Sequence, residues 1–205
     1  MKSLFRIGIT GGICSGKNTV ASILKELGCE IIDTDQIVHE LYAKDELMRR
    51  EIITVFGGKG LEPSGKINRK KIADIVFSNK NLLRRLNDIV HPRVRKAVDD
   101  LLVKLSKNKQ IVCVAVLVPL LIENNRQNDF DAVVLVTADK ETRIDRCIQR
   151  NSLTREEVIA RMNNQLDDEE KRKFADYVID NNGSLESTRE SVKNMYNNLV
   201  RIIHH

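Results

Sequence analysis

Tryptophan is absent from the 205-residue sequence and aromatic residues make up only 4% of it. Lys and Arg are interspersed with Asp and Glu instead of forming a tail, so the net charge of +5 does not by itself argue for nucleic acid. A basic pocket for a polyanionic small molecule accounts for the excess at least as well. No stretch reaches the ~20 apolar residues of a membrane span. The N-terminus enters an apolar run within a few residues instead of forming a signal peptide. The expected partners are therefore small molecules, with no nucleic acid and no membrane, and the expected location is cytoplasmic; oligomeric state stays open between a monomer and a weak homo-oligomer. Cys14, Cys29, Cys113 and Cys147 form no CxxC pair and accompany no histidine cluster, so neither zinc nor a disulfide framework is indicated and reduced thiols are expected. Internal repeats and low-complexity tracts are also missing, and His204 and His205 receive no role. What remains, 41% hydrophobic and 31% charged residues, suits a globular protein long enough to bury a substantial core.

The most informative stretch is Gly11, Gly12, Ile13, Cys14, Ser15, Gly16, Lys17, Asn18 and Thr19. It follows an apolar run at residues 4–10 that reads as a buried strand, and it opens a pattern placing Val20, Ile23, Leu24 and Leu27 on one helical face. Strand, glycine-rich turn, Lys and helix together make a phosphate-binding loop, in which small residues let backbone N–H groups converge on an anion at the positive end of a helix. Lys17 would reach the β- and γ-phosphates. The residue after the Lys should carry a hydroxyl for Mg²⁺, and here it is Asn18.

A second short apolar run, residues 29–32, ends in Asp33-Thr34-Asp35, at the edge where open α/β sheets bind ligands. Asp35 reads either as a helix cap or as part of the site, whereas Asp33 leans to chemistry because the phosphate loop shares its edge. Residues 44–105 are helical in pattern, with one helix at 80–90, a break at His91-Pro92, and another helix carrying Val94, Val98, Leu101 and Leu105 on one face. His91 reads as a structural turn or, with Arg93 and Arg95 beside it, as a phosphate contact. Residues 110–118 make a central strand that runs into Pro119–Glu123. Glu123 is either a metal-shell carboxylate or a helix-start or solvated-face residue. A fourth strand at 131–136 precedes a helix with Arg143, Arg146 and Arg150 on one basic face. The charged segment 151–173 reads as a mobile flap or as a plain surface helix pair, and a fifth strand at 177–179 leads to a tight turn and a closing helix with Val192, Met195, Leu199 and Ile202 inward.

Taken together these residues closely resemble the dephospho-coenzyme A kinase family, almost end to end. The matching elements are the TGG and GK of Thr10 to Lys17, the D-x-D of Asp33 and Asp35, Arg69 and Phe77 along the helical insert, and His91, Pro92 and Arg95. The PLL-x-E of Pro119 to Glu123, Arg146 with Arg150, Arg161 with Gln165, and the A-D-x-V-I-D-N-x-G of Ala175 to Gly183 complete the pattern. The resemblance implies an α/β, P-loop nucleotide-kinase-like three-layer fold: a five-stranded parallel sheet flanked by helices, with a helical substrate-domain insertion and a lid. Residues 1–43, 106–150 and 174–205 would form the core and 44–105 the CoA-substrate domain. Residues 151–173 would be the lid, its flanking helix beginning at about residue 140.

The implied activity is phosphorylation of the ribose 3′-hydroxyl of dephospho-CoA by ATP, with Mg²⁺ as cofactor. Asp33 would accept or orient the hydroxyl proton, Lys17 and Arg146 would act on the phosphates, and Arg150 and Arg161 would close from the lid. Asn181 and Gly183 would lie near the adenine, while Thr10, Asp35, His91, Arg95 and Arg161 would contact the acceptor substrate. Two departures stand out. Cys14 occupies a position usually held by Gly, tolerable if its side chain points away from the phosphates or its φ stays negative. Asn18 replaces the hydroxyl ligand, although an amide oxygen is also a hard donor for Mg²⁺. A ligand-binding protein that has lost transfer through Asn18, or another small-molecule or nucleotide kinase on the same scaffold, are the other readings.

Overall fold

A computed structural model describes residues 4–62, 65–77, 79–151 and 153–204. The turn at Pro63 and Ser64 and the side chains of Phe77 and Ile202 fall outside what is described, as does His205. The chain divides into two compact units, residues 1–33 with 104–205, and residues 34–103. The second unit thus begins ten residues before the boundary expected at residue 44.

In the first unit, β1 (Phe5–Thr10), β2 (Glu30–Asp33), β3 (Cys113–Leu117), β4 (Ala132–Thr137) and β5 (Tyr177–Asp180) form one sheet in the order β2-β3-β1-β4-β5. Every pairing is parallel. Strands covered on both faces by crossover helices read as continuous apolar runs, and β3 and β4 are buried along their whole length. On one face, α1 (Lys17–Glu26) and α9 (Leu185–His204) pack Val20, Ile23, Leu24, Val192, Met195 and Leu199 against Ile7 and Ile9. Beside the phosphate-loop residues Ile13 and Cys14, α6 (Lys140–Asn151) and α7 (Arg155–Met162) bury Ile144, Cys147, Val158 and Met162 together. The short α8 (Asp168–Arg172) follows α7. Among the described residues, no helix is long and apolar enough to cross a membrane.

Within the second unit lie α2 (Thr34–Lys44), α3 (Glu46–Phe56), α4 (Arg69–Phe77) and most of α5 (Lys80–Ser106). The break expected at His91-Pro92 does not occur: α5 runs through Pro92 without interruption. Proline in a helix interior forfeits a backbone hydrogen bond and crowds the preceding turn. Here the apolar residues Ile89, Val90, Val94 and Val98 stay buried at helical spacing on both sides of it, and that shared face keeps the helix continuous. Arg93 does not present its fork to solvent or phosphate. It pairs with Asp45 (3.3 Å) and Glu51 (2.7 Å) and donates to the Ile89 carbonyl (2.7 Å), clamping α5 to α3. Its hydrogen bond to Glu51 holds the guanidinium above its ordinary pKa, against the opposing effect of burial.

The cysteines overturn the expectation of free thiols, because Cys14 is bonded to Cys147 and Cys29 to Cys113. The second pairing follows from strand register: Glu30 pairs with Val114, so the residues immediately before them stand side by side. No sequence-local spacing could signal either bond, since the partners are 133 and 84 residues apart.

Two measurements test this description. Denatured protein kept from reductant is expected to take up no thiol-alkylating reagent by mass spectrometry, and to label at all four cysteines after reduction; full labelling before reduction would contradict the pairing. Asp45 both caps α3, accepting from Met48 N at 2.8 Å, and pairs with Arg93. Asp45→Ala is expected to cost about 1–2 kcal/mol in urea unfolding. Asp45→Asn, which keeps the cap, is expected to cost less.

Candidate active site

β1 ends at the buried Thr10, whose hydroxyl donates to the Pro119 carbonyl at 3.3 Å, and the chain then turns through residues 11–16 into α1. Gly16 caps α1 in the left-handed region at φ 101°, with no side-chain hydrogen bond and no acidic residue in the first turn. A helix start left in that condition presents N–H groups and positive potential to an anion. Lys17 folds back over the loop, its Nζ donating to the carbonyls of Gly11 (2.9 Å) and Gly12 (3.1 Å).

Three other elements hold the loop. Asn181, buried just past β5, donates from Nδ2 to the Ser15 carbonyl at 2.8 Å, and a Cβ on Gly16 would collide with that same amide. Asn181 is itself fixed by the Thr188 hydroxyl (2.9 Å) and by its own N–H to the Thr137 carbonyl (2.9 Å). Gln165, between α7 and α8, accepts from the Ile13 N–H at 2.9 Å. Cys14 takes φ 57°, so its tolerance rests on side-chain direction alone: its sulfur points away to Cys147 on α6.

The expected basic face of α6 separates into three roles. Arg146 donates from Nη2 to the Asn181 carbonyl at 2.8 Å, and its buried Nη1 has no hydrogen-bond partner among the described residues. Arg143 lies over the loop, its Cζ 2.6 Å from where a Gly12 Cβ would stand, and pairs with Asp168 of α8 at 3.3 Å. Arg150 is exposed, as is Arg161 on α7. Arg143, Gln165 and Asp168 line a cavity of about 510 Å³ with Thr137, Asp139 and Asn182. Asp139 and Asn182 are hydrogen-bonded to one another (2.7 and 3.2 Å), joining the start of α6 to the turn that contains Gly183.

Asp33 closes β2 at the carboxyl edge of the sheet. It pairs with Leu117, which pairs on its other side with Ile9, so Asp33 stands two strands from the start of the phosphate loop. At the usual strand spacing that separation is roughly 10 Å. Asp35 lies exposed in the first turn of α2, where a carboxylate favours the helix dipole. In the second unit, exposed His91 and Arg95 line a shallow cleft of about 440 Å³ with Lys96, Asp99 and Asp100. Also in that unit, Arg69 lies 5.5 Å from the centroid of the Tyr42 ring and 2.9 Å from His39 Nδ1.

Glu123 lies in turns and is largely enclosed, so it is neither a helix-start residue nor part of a solvated face. It pairs with Lys171 at 2.9 Å and accepts from the Leu166 N–H at 3.3 Å. Lys171 sat in a run of charges that reads as solvated surface, yet its side chain is 0% exposed. Among the described residues, no group of three or more His, Cys, Asp or Glu could hold a metal ion. The Asn18 amide, exposed in the first turn of α1, offers one hard oxygen beside the phosphate loop. Any Mg²⁺ here would take its remaining ligands from phosphate oxygens and water, as this ion commonly does.

The same combination of elements occurs in known proteins. The family model described as dephospho-CoA kinase matches residues 5–187. A dephospho-CoA kinase of Leptospira interrogans is 40% identical over 199 residues, covering 97% of this chain and 95% of that one. The structure of a dephospho-CoA kinase from Campylobacter jejuni superposes with a TM-score of 0.68 at 30% identity, over 95% of this chain and 96% of that one. A Thermus thermophilus structure does so with a TM-score of 0.83 at 35% identity, over 97% and 99%. With a phosphate loop, an acid across the sheet edge and likeness along nearly the whole chain, this protein belongs to the dephospho-CoA kinase family.

Proposed function

We infer that the chain is a dephospho-CoA kinase, transferring the γ-phosphoryl group of ATP to the ribose 3′-hydroxyl of dephospho-CoA to give CoA and ADP. The observation that carries this reading is the pairing, along one sheet edge, of an uncapped helix start bearing Lys17 with the carboxylate of Asp33. Phosphoryl transfer needs the triphosphate held, the nucleophile placed and developing charge neutralised, with little covalent work by the protein.

The backbone from Gly12 to Lys17 cradles the phosphates, and the Lys17 ammonium exchanges its carbonyl partners for phosphate oxygens. Arg146 adds a fixed positive charge, held toward the loop by Asn181; Arg150 and Arg161, exposed, are available to close on the phosphates. Asp33 orients the 3′-hydroxyl and takes its proton as transfer proceeds; a carboxylate is a weak base for an alcohol, so its main contribution is alignment. We assign the adenine to the neighbourhood of Asn181 and Gly183, and the acceptor to Thr10, Asp35, His91, Arg95 and Arg161. Bound with the triphosphate, Mg²⁺ supplies charge neutralisation at the phosphates, with Asn18 as its protein ligand. Small-molecule partners without nucleic acid are supported by the interspersed charge, and independence of a membrane by the lack, among the described residues, of a helix able to cross one; a cytoplasmic setting completes the assignment.

Purified protein given Mg-ATP and dephospho-CoA is expected to form CoA, followed by mass spectrometry. Binding of both ligands without product would make it a binding protein instead, and turnover of nucleoside monophosphates alone would make it a different kinase. Asp33→Asn is expected to lower kcat by at least about 100-fold while leaving ATP affinity within about threefold, the pattern of a group that acts on the acceptor; turnover like that of the wild type would remove Asp33 from this role. Asn18→Ser is expected to give equal or higher kcat with half-saturation at lower Mg²⁺. A large loss of turnover would instead identify Asn18 as an adapted ligand.

A further inference from the structure

Lys171 is, among the described residues, the one charged side chain that is buried. Its ammonium lies 2.9 Å from Glu123 Oε1, and Glu123 is itself only 14% exposed. Neither the Lys171 Nζ nor the second oxygen of Glu123 has a hydrogen-bond partner of good geometry among the described residues. A buried pair with unused donors and acceptors recovers little of its desolvation cost, and apolar residues of the same size are often as stable or more so. Stability therefore does not explain why two charges are enclosed here.

Their surroundings do. Glu123 lies in the turns that follow β3, and Lys171 lies on α8. The oxygen that meets Lys171 also accepts from the Leu166 N–H, so the pair fixes the backbone next to Gln165. Gln165 in turn accepts from Ile13 in the phosphate loop. An unbroken line of contacts thus runs from the end of the central strand, through the ion pair and the α7–α8 connection, to one amide of the loop.

We propose that Glu123 and Lys171 are positioning residues for the phosphate loop: through Leu166 they hold Gln165 on the Ile13 amide, which keeps the amides that follow facing the triphosphate. This rests on the assignment of ATP to that loop. The pair acts on the donor nucleotide and leaves the acceptor untouched, so its removal separates the two substrates kinetically.

Lys171→Met alone strands a buried carboxylate and risks misfolding, so the informative protein is the double variant Glu123→Leu with Lys171→Met, compared with Gln165→Ala and with the triple variant. Loss of one neutral hydrogen bond corresponds to about a fivefold effect. The double variant and Gln165→Ala are each expected to raise KM for ATP by about that factor. Both should leave kcat and the KM for dephospho-CoA within about twofold, and the triple variant should be no worse than either. A double variant with the KM for ATP of the wild type overturns the proposal. So does a parallel rise in both KM values with a lowered Tm, which is the mark of a merely structural pair, or a triple variant whose effects multiply. If the wild type makes no CoA, the enzyme assignment fails separately, and ATP affinities of the same four proteins by calorimetry still decide the role of the pair.

Discussion

With glycine at the cap, leaving the start of α1 without a side-chain hydrogen bond forgoes roughly a few tenths of a kcal/mol, and a non-glycine residue in the left-handed region at Cys14 adds a strain of about 1 kcal/mol. A loop under those two penalties would not hold one conformation alone. It is held because separate parts of the chain converge on it: Asn181 from the end of β5, Gln165 from the α7–α8 connection, and Cys147 from α6. Much of the first unit's carboxyl edge is arranged around an absence, the missing cap that an anion is to replace. The Asp139–Asn182 pair and the Thr188 hydroxyl serve the same end at one remove, since they fix the turn from which Asn181 reaches.

Charge is used inside this protein more than its composition suggests. Arg93 joins α3 to α5, Arg143 joins α6 to α8, and Lys171 joins α8 to the turns after β3. Lys171 lies in a stretch where charges are dense enough to read as solvated surface, and Arg93, beside His91, reads as a phosphate contact. A long side chain that buries its stem and finds a carboxylate is invisible to hydropathy, because pairing depends on which helices meet.

That dependence marks the limit of what could be read before the structure. β1, the phosphate loop and α1 were legible together because their signals are local: an apolar run, closely spaced glycines, a lysine and a helical stripe within some twenty residues. The five strands and the site edge at Asp33 were legible for the same reason, and the family pattern added order to them. Three features were not. α5 continues through Pro92 because its buried face outweighs a local rule. The cysteine pairs follow from strand register and helix packing, which no spacing in the sequence encodes. Glu123 and Lys171 are 48 residues apart by number, and each alone has an ordinary surface reading.

The bond between Cys29 and Cys113 has a topological meaning as well as a local one. Its partners bracket residues 34–103, so the entire second unit is the interior of a covalent ring. The bond between Cys14 and Cys147 encloses that ring in a larger one. A peptide bond cut anywhere in the second unit would therefore leave a single molecule, its ends still tied at the sheet. That unit can also unfold and refold without its termini drifting apart, which spares most of the loop-closure entropy an insertion of this length would otherwise lose on each return.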